Sequence, residues 1–226
     1  MVNTKTGENE FRIYKLQKGT TDLTKSGNWE KAFKFKNNTL VGGMHGNEKV
    51  TSIKFYQDTK QINPYINRKY TGERVVIIEN SNFYNPKNTS QVICTANTFY
   101  TWHGHNLNIN TQYNWMANET VETLYSGMFP TNNAIFHYGM IEGYPLQKLV
   151  NNGGKFTTDK TSSKVTVWNG ARNFYMSMKT SKTGSAWVRC MDAYNKIYLA
   201  WVHGGEIKVT KGTVWNTNTL YMVGNC

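Results

Sequence analysis

Asn106-Leu107-Asn108-Ile109-Asn110-Thr111-Gln112-Tyr113-Asn114-Trp115 alternates without a break. Successive side chains of an extended chain leave opposite faces, so Leu107, Ile109, Thr111, Tyr113 and Trp115 share one side and the five amides share the other. A helix would scatter both sets around its axis. The stretch therefore reads as a half-buried strand with an apolar inner face and an amide outer face.

The same period recurs on both sides of it. Phe33-Lys34-Phe35-Lys36 alternates apolar and basic residues, and the sequel to the glycine-rich turn at 42–46, Val50 to Asp58, reads as another strand. Val165 and Val167, then Phe174, Met176 and Met178, repeat the pattern around Asn169-Gly170. Ile197, Leu199, Trp201 and His203 alternate with Tyr198, Ala200 and Val202, and Ile207 and Val209 follow Gly204-Gly205. Turn signals at Ser26-Gly27-Asn28, Asn151 to Gly154, Thr183-Gly184-Ser185 and Lys211-Gly212 punctuate these runs. One short helix is expected, over Leu146 to Val150. Short strands and turns without sustained helical periodicity predict an all-β fold, an antiparallel β-sandwich of jelly-roll or concanavalin-like type, with two packed sheets. No repeat, low-complexity tract or linker divides the chain. Residues 1–226 read as a single domain, with 1–10 as a flexible edge.

Composition bounds the function. With 7 Trp, 14 Tyr and 10 Phe the chain has the large side chains that a core requires. No apolar run is long enough to span a bilayer, so no membrane role is expected. Lys plus Arg number 26 against 14 Asp plus Glu, a net charge of +12, which favours polyanionic partners, although a lysine-rich soluble surface accounts for it equally well. Nucleic acid is the less favoured polyanion, because the basic residues are dispersed and not gathered in a stripe. Cys94, Cys190 and Cys226 have no CxxC spacing and form neither a disulfide framework nor a zinc cluster. Cys94 and Cys190 read as buried thiols from a reducing compartment.

Chemistry concentrates in three places. In Val41-Gly42-Gly43-Met44-His45-Gly46-Asn47-Glu48, His45 and Glu48 have the His-x-x-Glu spacing of a zinc site, with His103, His105, His137 or His203 as a third ligand. Enzymes built on that motif continue into a helix, whereas a strand follows here. The favoured reading is a turn whose His and Glu orient each other, so no cofactor is expected; a divalent metal at His45 and Glu48 is the alternative. Between Asn80 and Asn118 the only Lys or Arg is Lys87 and there is no acid, while aromatics and amides crowd together. Aromatic faces stack on sugar CH groups and amides satisfy hydroxyls, so Trp102, His103 and His105 are candidate glycan contacts. His137-Tyr138 could exchange a proton in a polysaccharide lyase, with Arg172, Arg189 or Asn173 neutralising a sugar acid. Catalytic candidates are thus His45, Glu48, His137 and Tyr138, and glycan-binding candidates include Arg172 and Arg189.

His45-Gly46-Asn47-Glu48, the following strand with Gln57-Asp58-Thr59-Lys60-Gln61-Ile62, Asn106 to Ile109, Trp115 and Leu124-Tyr125-Ser126-Gly127-Met128-Phe129-Pro130 carry a further signal. Over about residues 40–140 the chain resembles receptor-binding or depolymerase-like domains at the ends of bacteriophage tail fibres and appendages. The resemblance implies a virion-tail, extracellular protein that contacts an anionic bacterial surface polysaccharide such as teichoic acid or capsule. It also implies other virion tail proteins as partners, with a homotrimer as one arrangement. Depolymerase action on the same polymer, or a purely structural trimerisation role, are the alternatives.

Overall fold

The computed structural model describes residues 11, 13, 15–25, 31–36, 39–63, 71–132, 134–149, 160–190 and 195–226; of 183–190 and 195 it describes the backbone only. The strands are β1 Gln17–Lys18, β2 Thr21–Asp22, β3 Ala32–Phe35, β4 Leu40–Gly42, β5 Glu48–Gln57, β6 Lys60–Ile62, β7 Arg74–Asn85, β8 Asn88–His103 and β9 Asn106–Trp115. They continue as β10 Glu119–Thr131, β11 Phe136–Ile141, β12 Gln147–Lys148, β13 Lys160–Asn169, β14 Phe174–Cys190, β15 Asn195–Val202, β16 Ile207–Val209 and β17 Val214–Asn225. A single 3-10 turn, Gly43–His45, is the only helical element among the described residues. None is long and apolar enough to cross a membrane.

The fold is an all-β antiparallel sandwich. One layer runs β13-β14-β17-β9-β8-β7-β5-β6, with β11 and β12 beyond β13, and the other runs β4-β3-β10-β15-β14. Hydrogen bonding is continuous between the layers, where two separate sheets were expected. The cause is the 17-residue strand β14. Its first half, Phe174 to Thr180, pairs with β17, and its second half, Ser185 to Cys190, pairs with β15. Gly184, expected in a turn, lies inside this strand opposite Ser162, next to a register shift in β13. A strand glycine marks the place where a ladder bends. The expected helix at Leu146 to Val150 is also replaced over its described residues, 146–149: Gln147 and Lys148 pair with Gly139 and Tyr138, and Leu149 donates its N–H to the His137 carbonyl. Five residues are too few for a stable helix when a neighbouring strand offers partners. The expected turns at 26–28 and 151–154 lie outside the described residues.

Two apolar clusters fill the space between the layers. One joins Phe55, Ile77, Tyr100, Leu107, Met176, Met178 and Tyr221 to Phe129, Ile197 and Leu199 of the opposite layer. The other gathers Phe33, Phe83, Tyr113, Trp115 and Leu124, with the Phe33 ring 5.4 Å from Trp115 and 4.9 Å from Phe83. Alternation thus buries one face of β7, β8, β9 and β17 and leaves the other outside.

Candidate functional site

The outer face can be read row by row from the pairing registers. Ser52, Asn80, Asn97, Gln112 and Asn216 lie side by side across β5, β7, β8, β9 and β17. The next row is Lys54, Ile78, Phe99, Asn110 and Asn218. The amides hold one another. Asn80 Nδ2 donates to Ser52 Oγ at 2.8 Å and Asn97 Nδ2 to Asn80 Oδ1 at 2.8 Å. Gln112 Nε2 donates to Asn216 Oδ1 at 3.2 Å, and Asn218 Nδ2 donates to Asn108 Oδ1 at 2.7 Å and Asn110 Oδ1 at 2.5 Å.

An open groove of about 350 Å³ lies on this ladder, lined by Asn97, Phe99, Asn110, Gln112, Ser181, Asn216 and Asn218. That volume is within the range of small-molecule sites. Phe99 is 41 % exposed beside it. No carboxylate stands in either row, and Lys49, Lys54, Arg74 and Lys179 lie exposed elsewhere on the same face. The cross-linked amides are fixed in direction, yet each keeps donors or acceptors beyond those used in the ladder. The site can therefore meet a hydroxyl-rich ring with pre-oriented hydrogen bonds and one apolar surface.

The residues singled out from sequence divide. His103 is exposed at the end of this face, opposite Asn106 and Arg74, and His105 sits exposed in the β8–β9 turn. Trp102 belongs to the other face: it packs against the first core cluster and donates its indole N–H to the Gly104 carbonyl at 3.1 Å. His137 and Tyr138 lie on β11, away from the amide groove. Arg172 stands with its guanidinium carbon 4.5 Å from the Tyr138 ring centre, a pairing that no sequence spacing announces. The side chain of Arg189 lies outside the described residues. Asn97, Phe99, Asn216 and Asn218 were not singled out individually. The amide run on β9 was the signal, and the registers of β8 and β17 supply the rest.

His45 and Glu48 part company. His45 is exposed at the end of the 3-10 turn, where Gly46 takes a left-handed φ of 76°. Glu48 opens β5 facing inward. Its carboxylate accepts from Ser81 Oγ at 2.7 Å and pairs with Lys31 Nζ at 2.9 Å. Lys31 also meets Glu79 at 2.7 Å, and Tyr100 donates its hydroxyl to Glu79 Oε2 at 2.8 Å. Burial opposes the Lys31 charge, but the Glu48 and Glu79 carboxylates outweigh it and hold Lys31 well above the ordinary lysine range. Burial raises Glu48 despite Lys31, and burial with Glu79 nearby raises Tyr100 well above the ordinary phenol range. Among the described residues no three His, Cys, Asp or Glu side chains are grouped to hold a metal ion. The cavity beside this cluster measures about 40 Å³, enough for a few waters and far too small for a sugar ring. The cluster ties the approach to β3 in one layer to β5, β7 and β8 in the other. Glu79 was not singled out from the sequence, where its one signal is an acid directly after the apolar run Val75 to Ile78.

No protein-family model matches the chain, and no curated protein does. Solved structures do. GH36 alpha-galactosidase AgaB from Geobacillus stearothermophilus matches at a TM-score of 0.57 and 10% identity, covering 95% of this chain and 32% of that one. AgaA from the same organism, in complex with stachyose, gives 0.58 at 9% identity over 96% and 32%. The alpha-galactosidase from Lactobacillus brevis gives 0.57 at 7% identity over 100% and 34%. The chain spans about a third of the length of these structures. At such identities the likeness is one of fold.

Proposed function

We propose that this domain recognises a glycan through the outer amide face of its larger layer. The observation that carries the reading is the uncharged groove of about 350 Å³ lined by mutually bonded amides beside exposed Phe99. Amides supply directional bonds to hydroxyls, and the aromatic ring supplies a face for sugar CH groups. The lysines and arginine exposed on the same face, with a net charge of +12, favour an anionic glycopolymer of a bacterial surface, such as teichoic acid or capsule. The likeness in fold to part of several alpha-galactosidases agrees with a role in handling sugars. The setting proposed, a phage tail appendage acting outside the cell with other virion proteins as partners and assembly as a trimer, rests on the sequence resemblance over residues 40–140.

The test is titration with purified wall teichoic acid and capsular polysaccharide, with new polymer ends measured in the same samples. Saturable binding without shortening is the expected result, and Phe99→Ala should weaken it about two- to tenfold. New ends would make the protein a depolymerase. Unaltered affinity in Phe99→Ala and Gln112→Ala together would remove the groove from recognition.

A further inference from the structure

Tyr138, Trp168 and Tyr175 face one another across β11, β13 and β14 in consecutive registers. Their side chains leave the sheet on the side opposite the buried Val167 and Met176, and all three are half-buried. Lys148 continues the row beyond Tyr138, and Gly224 continues it beyond Tyr175. A Cβ at Gly224 would stand 2.6, 2.7 and 2.7 Å from Cζ, Cε1 and Oη of Tyr175. The hydroxyl end of the Tyr175 side chain therefore lies against the Gly224 backbone, in space that only a residue without a Cβ leaves. Tyr138, Trp168 and Tyr175 thus form one outward-facing row, a platform of three aromatic side chains.

Arg172 stands at its edge. Its backbone is left-handed at φ 56°, a region where glycine is the default and an L-residue is strained. The turn imposes this: Arg172 donates its N–H to the Asn169 carbonyl at 3.0 Å, while Asn169 Oδ1 accepts from the N–H groups of Asn173 at 2.8 Å and Phe174 at 3.3 Å. The guanidinium lies 4.5 Å from the Tyr138 ring centre, and no carboxylate pairs with it among the described residues. Glu142, in the turn after β11, lies 3.7 Å from Lys164 Nζ. A guanidinium that rests over an aromatic ring and pairs with no carboxylate keeps its N–H fork for an anion.

We propose that Arg172 and the Tyr138–Trp168–Tyr175 row form an acid-sugar subsite, distinct from the amide groove but on the same outer face. The guanidinium takes a carboxylate or phosphate of the polymer, and the aromatic row takes the adjoining sugar. This rests on the glycan reading above and adds which chemistry the end of the face selects. Single-stranded nucleic acid also pairs aromatics with phosphates, but the amide groove beyond the row is lined by one aromatic, Phe99, where successive bases would each need a stacking face.

Arg172→Gly and Arg172→Asn separate structure from recognition, because both residues tolerate the left-handed turn. Each variant, Phe99→Ala and the parent protein would be titrated with polygalacturonate, carboxyl-reduced polygalacturonate, poly(glycerol phosphate) and a dT oligonucleotide, with thermal midpoints recorded. The Arg172 variants should keep or raise the midpoint, lose about tenfold or more on whichever acidic polymer binds, and hold the neutral polymer unchanged. Carboxylate and phosphate are told apart by which acidic polymer responds. Arg172 variants that bind the acidic polymers like the parent would overturn the subsite, and a concurrent loss in Phe99→Ala would leave the groove standing. Failure of the parent to bind any sugar polymer would overturn both. Tighter binding of dT, lost in the Arg172 variants, would reassign the platform to nucleic acid.

Discussion

Lys31 Nζ lies 2.9 Å from Glu48 and 2.7 Å from Glu79 at a place where neither carboxylate meets solvent. Removing the ammonium leaves two buried like charges facing each other. Lys31→Met should therefore destabilise the fold by about 3–5 kcal/mol in denaturant titrations at neutral pH. The pH dependence has a definite sign. Lys31 is raised above 10.5 and Tyr100 above 10.0, so the folded state holds both protons where the unfolded chain releases them. Their contributions are complete below those values and are lost as pH rises past them. Thermal midpoints should fall on going from about pH 9 to pH 11, and Lys31→Met should blunt that fall. Glu48 was visible in the sequence as a reactive-looking residue, yet its partner was not. Lys31 and Glu79 lie far from it along the chain, and only strand pairing brings them together. His45, three positions away, shared the motif and ended in solvent.

The strand β9 was legible because its alternation is uniform: each odd position faces the core and each even one the amide ladder. Strand β8 was not. It carries aromatics in both phases, with Phe99 outside and Tyr100 and Trp102 inside, so Trp102 was credited to sugar binding when its phase places it with Cys94, Ala96 and Tyr100. Pairing with β9 is what settles that phase. Strand β10 shows how closely the layers approach. A Cβ at Gly127 would lie 2.8 Å from Met178 Sδ and 2.8 Å from Thr219 Cγ2, on strands of the opposite layer. Gly127→Ala should cost about 1–3 kcal/mol through overpacking, read from chemical denaturation, with secondary structure unchanged. Stability equal to the parent protein would show that the layers have slack at this point.

For the molecule as a whole, period-two patterning was sufficient to establish an all-β sandwich. It could not reveal that β14 would carry hydrogen bonding from one layer into the other, because a strand glycine and a turn glycine look alike in sequence. The charge of +12 is likewise a property of the whole chain. Exposed charges contribute little once salt brings the Debye length to about 3 Å near 1 M. Affinity for an acidic polymer should fall steeply with salt, while affinity for its neutral counterpart should hold. The central claim is that sugar meets the amide ladder, and the side-chain NH2 resonances of isotope-labelled protein report on those groups directly. On titration with the wall polymer that binds, the amides of Asn97, Asn110, Gln112, Asn216 and Asn218 should shift together and saturate at one dissociation constant. Saturable binding that leaves these five resonances in place while others move would contradict the account.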